Sequence, residues 1–161
     1  MPPLIYSGIS GLNNGGDAVG NLSSGIGFFL TPTGQYTSFK VPGSQTTSIN
    51  GIGHGSVVGS FDGGRSFLRS DKNLNVAKTP VLTFNMLDSK TFAIVGIDNN
   101  GDLAIWSDNC GYVFENGTIY QPGGCQWYLT GINQEGDVVG YFYDSSLVGH
   151  GIVYWFNKPL F

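Results

Sequence analysis

The chain has 161 residues and a mass of 17.2 kDa, which is the size of one domain rather than several. It contains 26 glycines, far more than average usage, and only 11% charged residues. Disorder is excluded because 40% of the residues are apolar and 14% are aromatic. A turn-rich, weakly charged and aromatic chain is typical of an all-β protein.

The charge balance argues against several partners. Seven Lys and Arg residues against eleven Asp and Glu give a net charge of −4 at pH 7. Since no basic run is present, we expect no nucleic-acid partner. No stretch approaches about 18 apolar residues, so we expect no membrane partner either. Residues 1–3 are not followed by the charged and apolar regions of a signal peptide. The protein is then either intracellular or has lost a leader.

One ten-residue pattern recurs along the chain. Residues 11–20, 96–105 and 131–140 share the form Gly-Leu/Ile-Asn/Asp-x-x-Gly-Asp, and residues 51–59 form a copy that is one residue shorter. The copies end at residues 20, 59, 105 and 140, so their spacings are 39, 46 and 35 residues. Repeats of about 40 residues are typical of propellers and related repeat architectures.

Each copy is followed by short apolar and aromatic runs. A first run follows all four copies, at residues 27–30, 66–69, 111–114 and 151–154. A second run follows three of them, at residues 35–43, 81–84 and 118–123. Asn-Gly, Gly-Asp and Pro-Gly pairs separate the runs, and such pairs form tight turns between strands. No window of ten or more residues has helical periodicity. The sequence therefore predicts units of four short antiparallel strands and almost no helix.

Repeated four-stranded units predict an all-β fold of the β-propeller type. We expect a small propeller with four blades of four antiparallel strands in a single repeat domain over residues 1–161. Its units are 9–48, 49–94, 95–129 and 130–161. The fourth unit has no fourth strand of its own, so we expect an N-terminal strand at 4–8 to close the last blade and remove an exposed sheet edge. A closed barrel and a partial propeller that needs a second chain are the alternatives.

The runs 27–43 and 131–141, with His150-Gly151, resemble the HAF family of probable extracellular repeats. That pattern reads roughly G-I-N-N-x-G-x-V-V-G, then H-G-F-L, then Y-T-x-x-x-V-P-G. The third unit departs from it, with Ile105-Trp106 in place of Gly-Tyr and Cys110 in place of His. The resemblance implies an exported β repeat protein, so we expect a secreted or extracellular location. It implies no activity and no catalytic residue.

One face of the predicted propeller carries the candidate binding residues. In a propeller, the loops between the second and third strands share a face with the loops between consecutive blades. Residues on this face differ from unit to unit, and aromatic and polar side chains there can stack on a sugar ring and bond its hydroxyls. We expect ligand binding by Asp62, Arg65, Asp108, Trp127, Asp144 and His150. The tryptophans also have an alternative role, which is packing between neighbouring blades.

These features predict a non-enzymatic, lectin-like module that binds a carbohydrate or another small molecule. We expect no cofactor, and a monomer or small homo-oligomer. One alternative is an enzyme that acts on a small apolar molecule, with His150 or Arg65 of the same face as acid or base. A structural surface-protein module without a ligand is a second alternative. No catalytic motif of a known hydrolase or phosphate-binding loop occurs in the required context.

Three polar residues at one repeat position are candidates for a channel site. Asn13, Asp98 and Asn133 precede the first hairpin turn of their units, on the strand that lines the centre of a propeller. They could hold a water or a metal ion there. Hydrogen bonding within the turn explains the three residues equally well.

Cys110 and Cys125 are the two cysteines of the chain. If Asn116-Gly117 forms a two-residue turn, residues whose numbers sum to 233 face each other, which puts Cys110 opposite Gly123. Cys125 is then close enough for a disulfide if the strand bends after Pro122. A disulfide, a free buried pair and one reactive thiol all stay open, and a disulfide would indicate an oxidising compartment.

Overall fold

A computed structural model of the chain describes residues 7–70, 82–84 and 92–155. These residues form fifteen β-strands. The strands are β1 Ser7–Leu12, β2 Ala18–Leu22, β3 Ile26–Leu30, β4 Tyr36–Phe39, β5 Thr47–Gly53, β6 Ser56–Phe61, β7 Arg65–Arg69, β8 Leu82–Phe84, β9 Phe92–Ile97, β10 Leu103–Ser107, β11 Cys110–Glu115, β12 Thr118–Tyr120, β13 Tyr128–Ile132, β14 Val138–Tyr143 and β15 Gly149–Tyr154. The prediction of an all-β chain is confirmed.

The strands form four separate antiparallel sheets, each from consecutive strands. Sheet 1 is β1 to β4, sheet 2 is β5 to β8, sheet 3 is β9 to β12, and sheet 4 is β13 to β15. Every sheet is a simple up-and-down meander, because its strands are paired in chain order. The predicted units begin at residues 9, 49, 95 and 130, which lie two or three residues after the start of the first strand of each sheet.

The turn residues set the strand register as the sequence indicates. Asn116 and Gly117 have φ values of 49° and 79°, so both occupy the left-handed region that a two-residue hairpin turn requires. Glu115 faces Thr118 directly across this turn. The predicted register of the third unit, in which facing residue numbers sum to 233, is confirmed.

The first strands of sheets 2, 3 and 4 each pack against the preceding sheet. Ile49 and Ile52 of β5 lie in one core with Val19 and Phe29 of sheet 1. Two further cores repeat this arrangement. One joins Val58 of sheet 2 to sheet 3, and the other joins sheet 3 to Leu129 of sheet 4. Burial of these apolar side chains at successive interfaces stabilises the stack of sheets.

Each first strand also carries a β-bulge at the same place. One residue is left out of the pairing between Ile9 and Gly11, and again between Ile49 and Gly51 and between Leu129 and Gly131. The same shift occurs in β9. A bulge bends a strand and increases its twist. The four first strands curve around a common cavity of about 110 Å³, with residues from all four among its lining.

The four sheets form an open arc. In the described part of the chain, substantial contacts join sheet 1 to sheet 2, sheet 2 to sheet 3 and sheet 3 to sheet 4, and none joins sheet 4 to sheet 1. Ser7 and Gly8, which we expected in a strand on the last blade, instead pair with Leu22 and Asn21 of sheet 1. Residues 4–6 lie outside the described ranges. The predicted closure by an N-terminal strand is therefore not confirmed. No helix among the described residues is long and apolar enough to cross a membrane.

Candidate functional site

An open groove lies on the loop face between sheets 3 and 4. Its volume is about 540 Å³, within the range of small-molecule sites. Two tyrosines and several polar side chains surround it, and the lining is Asn109, Gln126, Tyr128, Tyr143, Asp144, Ser145 and Leu147. The groove combines aromatic faces with amide, hydroxyl and carboxylate groups. We call it the tyrosine groove.

A disulfide holds one side of the tyrosine groove in place. The sulfur atoms of Cys110 and Cys125 lie 2.04 Å apart. The bridge ties the segment before β13 to the turn between β10 and β11. Beside it, the backbone N–H of Gln126 donates to the carbonyl of Asn109 at 2.6 Å. Gln126 has a φ of 86°, a strained conformation for a residue with a side chain. The crosslink therefore fixes two polar residues that line the groove.

Aromatic side chains form the other side of the tyrosine groove. Tyr128 stacks on Tyr141 with ring centroids 5.0 Å apart, and Tyr143 meets Tyr128 edge-on at 6.2 Å. Trp106 of sheet 3 also stacks on Tyr128, with ring centroids 6.2 Å apart. Such contacts orient the rings and restrict their motion. Tyr143 remains about half exposed, so part of its ring is open to a ligand.

Asp144 and His150 form a pair at the rim of the tyrosine groove. His150 Nε2 lies 2.9 Å from Asp144 Oδ2. The other carboxylate oxygen accepts hydrogen bonds from the backbone N–H groups of Ser146 and Val148. The hydrogen bond from the His150 side chain, followed by that from Val148, lowers the pKa of Asp144 below its usual value. Asp144 is therefore a charged acceptor held by its own loop.

This arrangement predicts how the acidity of Asp144 depends on His150. Because the His150 hydrogen bond is the largest cause of the lowered pKa, we expect His150→Ala to raise the pKa of Asp144 in an NMR titration. The pair stabilises the fold above the unfolded carboxyl pKa, and this contribution is lost as pH falls through the folded pKa of Asp144. Arg65→Ala is the control and should leave Asp144 unchanged. An unaltered Asp144 pKa in His150→Ala would contradict this assignment.

Asp62 and Arg65 form the corresponding pair on sheet 2. Arg65 donates to Asp62 at 2.6 Å and lies over the Phe61 ring, 4.4 Å from its centroid. Asp62 also accepts the backbone N–H groups of Gln45 and Thr46, in the connection between sheets 1 and 2. The Thr46 hydrogen bond is the largest cause that lowers the pKa of Asp62. This pair fastens two loops together and does not line the tyrosine groove.

The remaining two predicted binding residues lie next to the tyrosine groove rather than in it. Asp108 has a φ of 47° and precedes Asn109 in the turn between β10 and β11. Trp127 stacks on Phe142 at 6.5 Å, and the Phe142 ring also stacks on His150 at 5.0 Å. Trp127 covers Gly123, where any side chain would overlap the indole. Trp127 therefore packs against Phe142 and Gly123, and its role in ligand binding stays a prediction.

The three channel candidates lie in the first hairpin turns of sheets 1, 3 and 4. The side-chain oxygens of Asn13, Asp98 and Asn133 accept backbone N–H groups of their own turns. Asn133 also donates to the Asp137 carboxylate at 3.2 Å. Burial, followed by repulsion from Asp98, raises the pKa of Asp102. Within the described ranges, no group of three or more His, Cys, Asp or Glu side chains is placed to hold a metal ion.

Sequence reasoning missed part of the tyrosine groove. Of the six predicted binding residues, Asp144 alone is in its lining. Tyr128 and Tyr143 were not singled out, because each belongs to a strand and reads as an ordinary sheet residue. Both tyrosines are next to predicted binding residues, since Tyr128 follows Trp127 and Tyr143 precedes Asp144. Aromatic residues at strand ends next to variable loops were the available signal.

Comparisons with known proteins show the fold. No family model matches the chain, and no curated protein matches it. Among solved structures, the chain is similar to a catalytically inactive variant of virginiamycin B lyase from Staphylococcus aureus with quinupristin. The TM-score is 0.52 at 14% identity, over 98% of this chain and 58% of that chain. That protein is a β-propeller. The fold is propeller-like. The chain spans 58% of the length of this neighbour.

Proposed function

We propose that this chain is a non-enzymatic, lectin-like module that binds carbohydrate in the tyrosine groove. The supporting observation is the lining itself, in which the half-exposed ring of Tyr143 lies beside the side chains of Asn109 and Gln126. A tyrosine ring offers a flat apolar face for the C–H side of a sugar. The two amides offer both donors and acceptors for its hydroxyls. The volume of about 540 Å³ suits a mono- or disaccharide.

The four sheets then correspond to four consecutive blades of a propeller. Two observations support this assignment: the repeated packing of each first strand on the preceding sheet, and the likeness to a propeller protein. The sugar site lies on the face that carries the connections between blades. Membership of the HAF family also remains a proposal, supported by the motifs of units one, two and four.

A secreted location is proposed with this function. The Cys110–Cys125 disulfide supports it, since disulfides persist in oxidising compartments and are rare in reducing ones. Because the net charge is −4, we propose no nucleic-acid partner. We propose no cofactor for this function.

A glycan array followed by titration calorimetry tests the carbohydrate proposal. We expect binding of at least one sugar, and we expect Tyr143→Ala to weaken it about 10- to 150-fold, since loss of a buried aromatic face costs roughly 1.5–3 kcal/mol. Tyr36→Ala is the matched control, because Tyr36 is similarly exposed on sheet 1. Absence of sugar binding at millimolar concentration, or equal weakening by both substitutions, would sink the proposal.

The Asp144–His150 pair favours an enzyme as a second candidate function. A carboxylate that holds an imidazole at 2.9 Å on an exposed rim is an arrangement that suits general acid–base chemistry. The substrate would be a small apolar molecule in the same groove. Turnover that is abolished in His150→Ala while ligand affinity is retained would favour this candidate over the lectin-like one.

A further inference from the structure

The two ends of the arc expose the two halves of an interface that the chain builds three times within itself. At each internal interface, the first strand of one sheet lies against the second and third strands of the preceding sheet. Among the described residues, no sheet packs on the outer side of sheet 1 or of sheet 4. Equivalent positions can therefore be compared directly between the internal interfaces and the two ends.

The first half of the interface is an apolar pair on the first strand. Ile49 of β5, and its equivalents in β9 and β13, are almost completely buried against the preceding sheet. The equivalent residue of β1 is Ile9, which is 69% exposed. Ile52 is likewise buried, whereas its equivalent Leu12 is 65% exposed. Sheet 1 therefore presents the incoming half of the interface to solvent.

The second half is a shallow apolar seat on the second and third strands. Val19, Val58 and Ala104 occupy one position of this seat, and all three are fully buried beneath the following sheet. Val139 holds the same position in sheet 4 and is 43% exposed, and Val153, paired with it, is 51% exposed. Sheet 4 therefore presents the receiving half of the interface.

A recurring glycine marks the centre of the seat. A Cβ atom added at Gly111 would come within 2.7 Å of the Leu129 side chain, so Leu129 packs directly on the Gly111 backbone. Gly27 receives Ile49 in the same way. Gly151 is the equivalent residue of sheet 4, and a Cβ atom there would meet nothing within 4 Å. The place for one branched apolar side chain is open at Gly151.

The side chain at the bulge also differs between an internal interface and sheet 4. Asn50 Nδ2 donates to the carbonyl of Ile94 in the following sheet at 2.8 Å. Thr130 holds the equivalent position in sheet 4, and its hydroxyl lies 3.4 Å from the Val139 carbonyl of its own sheet. That distance is long for an O–H donor. The Thr130 hydroxyl is thus placed to donate to the carbonyl of an incoming Ile9.

We propose that sheet 1 of a second copy of this chain packs on sheet 4, with Ile9 of the second copy over Gly151. Sheet 4 of the second copy receives sheet 1 of the first in the same way, so the two contacts close a ring with two-fold symmetry. The second copy is the occupant because its own first strand carries the matching half of the interface.

The ring size agrees with this pairing. Two copies of the four sheets supply eight blades, within the usual range of about 4–8. The inference concerns the ends of the arc and does not depend on what the tyrosine groove binds.

The mass of the 161-residue chain in solution tests the proposal. We expect sedimentation velocity to give about twice the 17.2 kDa of one chain, and Ile9→Asp and Gly151→Arg each to reduce the mass to that of one chain. Both positions are exposed in the single copy, so the variants should keep the circular dichroism of the fold. Ile119→Asp is the matched control on the outer strand β12 and should stay a dimer.

Mixing the two variants distinguishes this head-to-tail contact from other dimers. A mixture of Ile9→Asp and Gly151→Arg retains one intact pair of surfaces, so we expect it to form a dimer although each variant alone is monomeric. A symmetric contact of sheet 1 with sheet 1 would not be rescued in this way. A monomeric wild-type chain, an open series of growing oligomers, or a mixture that stays monomeric would each overturn the proposal.

Discussion

Replacing Gly59 with alanine is expected to destabilise the fold by about 3 kcal/mol or more, the upper end for overpacking a core. Gly59 lies in β6, opposite Ile49 of β5. A Cβ atom there would overlap the carbonyl oxygen of Ser48 and come within 2.8 Å of the Phe67 ring. Phe67 is fully buried in the core between sheets 1 and 2. Neither obstacle can move away without breaking strand pairing or core packing.

Thermal and chemical unfolding measure the effect of Gly59→Ala. For a chain of this length, a loss of about 3 kcal/mol lowers Tm by roughly 6–12 °C. Gly124→Ala is the control, because a Cβ atom there meets nothing within 4 Å and no left-handed φ is required. Gly124→Ala should be neutral or slightly stabilising. Equal stability of the two variants would show that β6 and the bulged β5 are not as close as described.

The same position explains why the repeat is visible in the sequence. Gly20 and Gly140 are the equivalents of Gly59, and each would overlap a carbonyl oxygen of the bulged first strand. Ile105 takes this place in sheet 3 and is buried there, so the crowding depends on the spacing within each sheet. The Val-Val-Gly motif thus records a local contact between neighbouring strands, and local contacts of this kind are readable from sequence.

The strand register of the third unit was predictable for the same reason. Asn116-Gly117 encodes a turn with two left-handed residues, and this turn alone places Glu115 opposite Thr118. The mutual positions of the sheets follow from packing between residues that are distant in sequence. The open arc and the exposure of Ile9 at its end could therefore not be predicted from the sequence motifs.

The candidate site shows the limit of reading loop residues one at a time. Asp62 and Asp144 were expected to face a ligand, and both are occupied by backbone N–H groups of loops. An aspartate in a tight loop satisfies the turn before it can meet a ligand. The tyrosine groove depends instead on Tyr128 and Tyr143, which two strands of sheet 4 bring together. That pairing follows from sheet register rather than from a motif.

Loss of the Cys110–Cys125 disulfide is expected to lower stability and to weaken ligand binding together. The cysteines are 15 residues apart, and a loop of that length restricts the unfolded chain enough to contribute about 3 kcal/mol. Without the bridge, the segment before β13 is held at the groove by the hydrogen bond from Gln126 to Asn109 and by the packing of Trp127 on Phe142. Because both residues line the tyrosine groove, the groove should widen or become mobile.

The double variant Cys110→Ser with Cys125→Ser separates the crosslink from other effects of reduction. We expect its Tm to fall by roughly 6–12 °C, and we expect dithiothreitol to lower the wild-type Tm to a similar value. The reductant should leave the double variant unchanged, which serves as its control. If reduced wild type keeps both its Tm and its sugar affinity, the bridge stabilises neither the fold nor the groove. If Tm falls while affinity is retained, the Gln126–Asn109 hydrogen bond is sufficient to shape the groove.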